Sequence, residues 1–196
     1  MAITTEQVKA LREQTGISVM QCKKALEEAG GDMEKATIIL RKKSGEIAGK
    51  KADRVFKAGT IGGYVHVTGR VATMVELLSE SDFVSGNEAF KALARDIAMH
   101  VAATNPKFLK KEDVKEEDMK AAREVFLAEV KDKPAAMQAK IVEGKLATYF
   151  SDMVLLEQPF IKDPSVTIGG LVSAAVQKFG EKIEVARFAR FAVLER

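Results

Sequence analysis

The sequence predicts an α+β fold: a small three-stranded antiparallel sheet with packed helices, preceded by a separate three-helix unit. Three observations predict it. Residues 61–67 and 70–78 are apolar-rich runs flanking Thr68-Gly69, the pattern of a β-hairpin with glycine at a turn position that needs a positive φ. Residues 183–193 alternate well enough for a third strand. Most of the remaining chain keeps a helical period, and helices segregated from a short sheet give an α+β architecture.

Taken in order, residues 1–43 read as a three-helix domain. Thr4 with Gln7 and Ser18 with Gln21 are capping-box patterns. Val8 and Leu11 share one helix face; Cys22, Ala25, Leu26 and Ala29 form the stripe of the second helix. Gly30-Gly31 ends that helix, Asp32 caps the third, and Ala36, Ile39 and Leu40 face inward. Residues 44–57 are expected to be a basic linker and 58–196 an α+β core and dimerisation domain. Around the joint lie Arg41, Lys42, Lys43, Lys50, Lys51, Arg54 and Lys57, against Glu46 and Asp53. These residues fit a solvated helix or linker; a phosphate-backbone contact is the alternative.

The hairpin carries apolar residues on both faces: Val65 and Val67 against Tyr64, and Val71, Val75 and Leu77 against Ala72, Met74 and Leu78. A sheet wetted on one face alternates more cleanly. Helices in so short a chain cover one face, so a second copy of the protein is expected on the other. Phe90, Leu93, Ala94, Ile97, Ala98 and Val101 then mark a helix that ends at Asn105-Pro106, with His100 on its flank. Residues 110–120 form a charged loop leading into a helix with Met119, Ala122, Phe126 and Val130 inward. Pro134 opens another helix reaching about Phe150. Gln158-Pro159-Phe160 and Asp163-Pro164 read as loop, and Thr167 caps a last helix ending near Gly180.

Composition narrows the function classes. A net charge of +3 is too weak for a dedicated nucleic-acid binder. The single Cys22 excludes an intramolecular disulfide framework and an all-cysteine metal site. No apolar run reaches the roughly 20 residues of a membrane span, and the N-terminal residues lack the pattern of a signal peptide. A soluble, cytoplasmic protein is therefore expected. No Walker-type phosphate loop, nucleophile elbow or zinc-helix motif appears. His66 and His100 are the only histidines, and Gly59, Gly62 and Gly63 read as flexibility at the strand entry. No metal, cofactor or covalent chemistry is expected.

Between the second strand and the Phe90 helix, for which Ser85 and Asn87 are both possible caps, stand an acid and an aromatic, Asp82-Phe83. Phe83 either plugs the end of the sheet or is displayed at the corner. The surrounding Glu76-Leu77…Glu80-Ser81-Asp82-Phe83-Val84-Ser85 resembles the E-L-N-x-E-T-D-F-V-A signature of bacterial elongation factor Ts, with Leu78 in place of the usual Asn. Leu11-Arg12-Glu13-Gln14-Thr15-Gly16 and Met20-Gln21-Cys22-Lys23-Lys24-Ala25-Leu26 resemble the family's N-terminal signature. The likeness continues through Leu155-Leu156-Glu157-Gln158-Pro159-Phe160 to the last strand. It implies a guanine-nucleotide exchange factor for elongation factor Tu, of the short homodimeric type, with a ubiquitin-associated-like N-terminal domain. It assigns Asp82 and Phe83 to disturbing the partner's Mg²⁺ site. Thr15, Gly16, Val19, Met20 and Lys23 become N-terminal contacts, and His66 a core contact. The plainer readings are a turn at Thr15-Gly16 and a core role for Met20. Competing functions are a ribosome- or RNA-binding module and a protein adaptor.

Overall fold

The computed structural model describes residues 3–195, apart from the side chains of residues 135 and 136. Residues 1, 2 and 196, which the expected domain bounds include, lie outside the described residues. The three expected N-terminal helices are α1 (Thr5–Thr15), α2 (Val19–Glu28) and α3 (Met33–Gly49). Thr4 and Gln7 close a full capping box. Ser18 supplies only its own half, accepting from the Gln21 amide at 3.4 Å. Asp32 accepts from the Lys35 amide at 3.0 Å. Leu11, Cys22, Ala25, Leu26 and Ala36 are fully buried, so Cys22 serves as a small core residue.

The third helix continues through residue 43 because its next turns have a buried face of their own. Ser44 is buried and its hydroxyl bonds to the Leu40 carbonyl and the Gln177 side chain. Ile47 and Ala48 pack against the main core. One rigid helix thus belongs to both the N-terminal unit and the body of the protein.

β1 (Ala58–Val65) pairs antiparallel with β2 (Val71–Ser79). The connection is longer than a two-residue turn: the His66 amide bonds to the Val71 carbonyl at 2.9 Å and the Gly69 amide to the His66 carbonyl at 2.8 Å. Then follow α4 (Asp82–Ser85) and α5 (Glu88–Thr104). Asn87, not Ser85, caps α5, its side chain accepting from Ala89 at 2.9 Å. α5 lies across the inner sheet face with Phe90, Ala94, Ile97, Ala98 and Val101 buried.

Gly62 explains how closely it lies. A Cβ on Gly62 would stand 2.2 Å from the Ala94 carbonyl carbon, so this glycine marks a backbone-to-backbone contact, not flexibility at the strand entry.

α6 (Glu116–Glu129) and α7 (Ala135–Ser151) form a helical pair with a separate cluster of Val130, Val142, Leu146 and Phe150. Met119, expected inside, is exposed: α6 packs on α7 rather than on the main core, so only part of its apolar stripe is covered.

Pro159-Phe160 and Asp163-Pro164, expected as loop, instead lie in a two-stranded ladder of β3 (Pro159–Phe160) and β4 (Asp163–Thr167). Prolines at a strand start and on an edge cost no ladder bond. A buried network fixes this segment. His100, which the helical pattern put on a flank, is fully buried; its Nε2 lies 2.9 Å from Gln158 Oε1 and its Nδ1 accepts from the Ile161 amide at 3.4 Å. α8 (Ile168–Phe179) starts at the Thr167 cap and ends at Gly180. β5 (Glu184–Ala192) completes the sheet in the order β1-β2-β5.

Strand register sorts the two sheet faces. Thr73, Val75, Leu77 and Val185 point into the core, whereas Ile61, Val65, Met74 and Phe191 stand exposed on the opposite face. Among the described residues nothing covers that second face.

Candidate functional site

The candidate site is built on the shortest helix. Ser81 is the N-cap of α4, accepting from the Val84 amide, and Val84 is buried in the core. A single helical turn with one residue anchored inward must show its others to solvent. Asp82 and Phe83 accordingly stand outside, and Phe83 is 83% exposed. The two readings of Phe83 are thereby separated: the ring does not plug the sheet. An aromatic this exposed contributes little to folding and is a ready anchor for another surface.

The tip is braced. The Glu181 carboxylate accepts the Glu80 amide at 3.1 Å and the Ser81 amide at 3.0 Å through one oxygen, and the Ser81 hydroxyl at 2.5 Å through the other. In return Glu80 accepts the Lys182 amide at 2.5 Å and the Arg54 guanidinium at 3.1 and 3.2 Å. Lys182 Nζ bonds to the Ala52 and Arg54 carbonyls and lies 4.4 Å over the Phe56 ring. Each carboxylate thus holds backbone of the opposite segment, Glu181 the Glu80 and Ser81 amides and Glu80 the Lys182 amide.

The Lys182 amide, followed by the Arg54 charge, holds the Glu80 carboxyl below its ordinary value of 4.5. Its stabilisation is present above pH 4.5 and lost as pH falls through the depressed value. Burial pushes the His100 imidazole below its ordinary 6.5. Below pH 6.5 the unfolded chain therefore binds a proton the native one does not, and stability falls from there downward. Denaturant unfolding from pH 7 to 3 should show both losses, the His100 one first. A flat profile between pH 6.5 and 5 would remove the histidine contribution.

The N-terminal candidates lie at the α1–α2 turn and the start of α2. Gly16 ends α1 with φ 69°, and a Cβ there would sit 3.0 Å from Lys178 Cε. Thr15 is half-buried, its hydroxyl donating to the Leu11 carbonyl at 2.6 Å. Val19 and Met20 are exposed, Met20 at 80%, which rules out the core reading of Met20. Lys23, on the same side one turn later, is exposed and pairs with Glu27 at 3.9 Å.

The end of α8 lies near both this turn and the tip, since a Cβ on Gly16 would meet the Lys178 side chain and Glu181, just past the helix, holds Ser81. His66 is not brought to them. It lies at the far end of the hairpin, which its eight-residue β1 makes about 26 Å long, with Nδ1 2.8 Å from Thr68 Oγ1.

Sequence reasoning missed Glu181 and Lys182, and placed Arg54 only in the basic joint. Nothing local to residues 180–182 points to a partner 100 positions earlier; the only hint is a charged pair directly after a helix-ending glycine. Among the described residues no group of three His, Cys, Asp or Glu is arranged to hold a metal, and no helix is long and apolar enough to cross a membrane.

Comparison with known proteins agrees with the sequence signatures. The profile of the family described as "Elongation factor TS" matches residues 2–195. Elongation factor Ts of Koribacter versatilis is 49% identical over 195 residues, covering 98% of this chain and 89% of that protein. The protein of that name from Thermodesulfovibrio yellowstonii is 49% identical, covering 98% and 97%. The one from Thermotoga petrophila is 46% identical, covering 100% and 98%.

Proposed function

The chain belongs to the elongation factor Ts family, and from that premise we propose that it promotes GDP release from elongation factor Tu in the cytoplasm, acting by binding alone. The observation that carries this reading is the Asp82-Phe83 tip: an exposed ring beside a carboxylate, on a turn tied at its base. In a P-loop GTPase, Mg²⁺ bridges nucleotide phosphates and protein, and its octahedral shell tolerates little distortion. Phe83 would enter an apolar slot of the partner and shift elements near the Mg²⁺ site, with Asp82 perturbing the ion's surroundings. A factor that prefers the nucleotide-free state weakens nucleotide by the same ratio that nucleotide weakens it.

One ring is not enough. Burying a Phe is worth about 1.5–3 kcal/mol, one to two decades of an equilibrium constant. The ubiquitin-associated-like N-terminal unit supplies the additional grip, through Val19, Met20 and Lys23 with the Thr15-Gly16 turn. His66 would meet a more distant part of the same partner. Release of labelled GDP from elongation factor Tu, with and without this protein, tests the reading; an unchanged rate ends it.

The open sheet face supports the homodimer. Ile61, Val65, Met74 and Phe191 form an apolar surface of the kind that marks protein contacts. We expect a dimer by sedimentation at micromolar concentration, and a monomer there would argue for another occupant. A direct nucleic-acid role has less support. Of the joint's basic side chains, Arg41 bonds to Ser165, Lys43 to Glu28, Lys51 to the Gly180 carbonyl and Arg54 to Glu80. The division at residues 43 and 57 remains our proposal for the functional units, with α3 physically joining the first two.

A further inference from the structure

We propose that Glu181 is a positioning residue for nucleotide exchange, acting through the Asp82-Phe83 tip and never touching the partner's nucleotide site itself. The inference rests on the reading of that tip given above, and adds a residue that lies outside every signature in the sequence. Its geometry is specific. One Glu181 oxygen receives two successive amides, Glu80 and Ser81, at 3.1 and 3.0 Å, which fixes the peptide plane entering α4. The other receives the Ser81 hydroxyl at 2.5 Å, which turns that oxygen's lone pair toward the Val84 amide it caps.

Glu181 therefore sets both the direction of the chain entering α4 and the cap that keeps its single turn closed. A helix this short has no cooperative stability of its own, so its shape depends on such external bonds. Glu181 is also three residues from Lys178, which lies against Gly16 at the α1–α2 turn. A displacement of about 1 Å in a group that must be held in one geometry can cost on the order of 10²-fold in rate.

The test is the concentration dependence of labelled GDP release from elongation factor Tu. Glu181→Ala should lower the maximal release rate about tenfold while the half-saturating concentration changes less than about twofold, because the N-terminal grip is intact. Glu181→Gln, whose amide oxygen still accepts the two N–H groups, should recover part of the rate. Hydrogen exchange of the Glu80 and Ser81 amides should accelerate in the alanine variant. Glu181→Ala combined with Phe83→Ala should be no slower than Phe83→Ala alone. Should Glu181→Ala fail to fold, Ser81→Ala, which removes the hydroxyl link, takes its place under the same readouts.

A normal maximal rate in a folded variant, alongside a defective Phe83→Ala, overturns the role of Glu181 and leaves the wedge standing. Normal rates in both overturn the wedge itself. An equal fall in rate and affinity with a lowered melting temperature makes Glu181 merely structural.

Discussion

Phe83→Ala is expected to slow the exchange reaction about 10- to 100-fold while leaving the protein as stable as the parent. The fold-change follows from a ring whose burial in a partner is worth about 1.5–3 kcal/mol. The unaltered stability follows from its exposure: 83% of the residue is already in solvent, so truncation creates no cavity. A core phenylalanine behaves oppositely. Phe90 is fully buried, edge-on to Phe179 at 5.9 Å, and its truncation belongs to the class costing about 3–5 kcal/mol. Stopped-flow release of labelled GDP, together with a thermal melt, checks both halves. Met20→Ala in the same assay separates grip from wedge: its loss should appear as a raised half-saturating concentration rather than a lower maximal rate. Unimpaired exchange by Phe83→Ala would leave the exposed ring without a role.

Gly62→Ala should be the most damaging single-methyl change in the core. The added carbon would lie 2.2 Å from the carbonyl carbon of Ala94, 2.3 Å from its oxygen and 2.7 Å from the Arg95 nitrogen. None of these atoms can rotate away as a side-chain end would, so α5 must lift from the sheet. Overpacking costs about 1–3 kcal/mol where side chains give way; against backbone we expect about 3 kcal/mol or more. In a protein of this size that corresponds to a melting temperature lower by roughly 6–12 °C. Gly63→Ala is the control: its Cβ would meet nothing within 4 Å, and it points to the open face. Equal melting temperatures for the two variants would mean that α5 accommodates the methyl, contrary to the packing described.

The carboxylates that brace the tip also show why the candidate site was only half legible. The signature around Asp82 and Phe83 drew attention to this corner, and the exposure of Phe83 and Met20 then removed the core reading of each. Glu181 stayed hidden because hydrogen bonds across 100 residues leave no periodic trace. The β3–β4 ladder was hidden for a related reason. Its prolines argue locally for loop, and only the buried His100–Gln158 network beneath it explains its order.

What the sequence alone determined is what local chemistry decides: the capped starts of α1, α3 and α8, the stripe of α5, the hairpin and the α+β class. Each depends on residues within a few positions of one another, where spacing and capping act before any distant contact forms. Tertiary structure alone decided which apolar positions meet a partner surface: Met119 outside, His100 inside, α3 running on to Gly49, and Gly62 pressed against the α5 backbone. Those outcomes depend on which segments come together in space, and burial is a property of the pair, not of either residue.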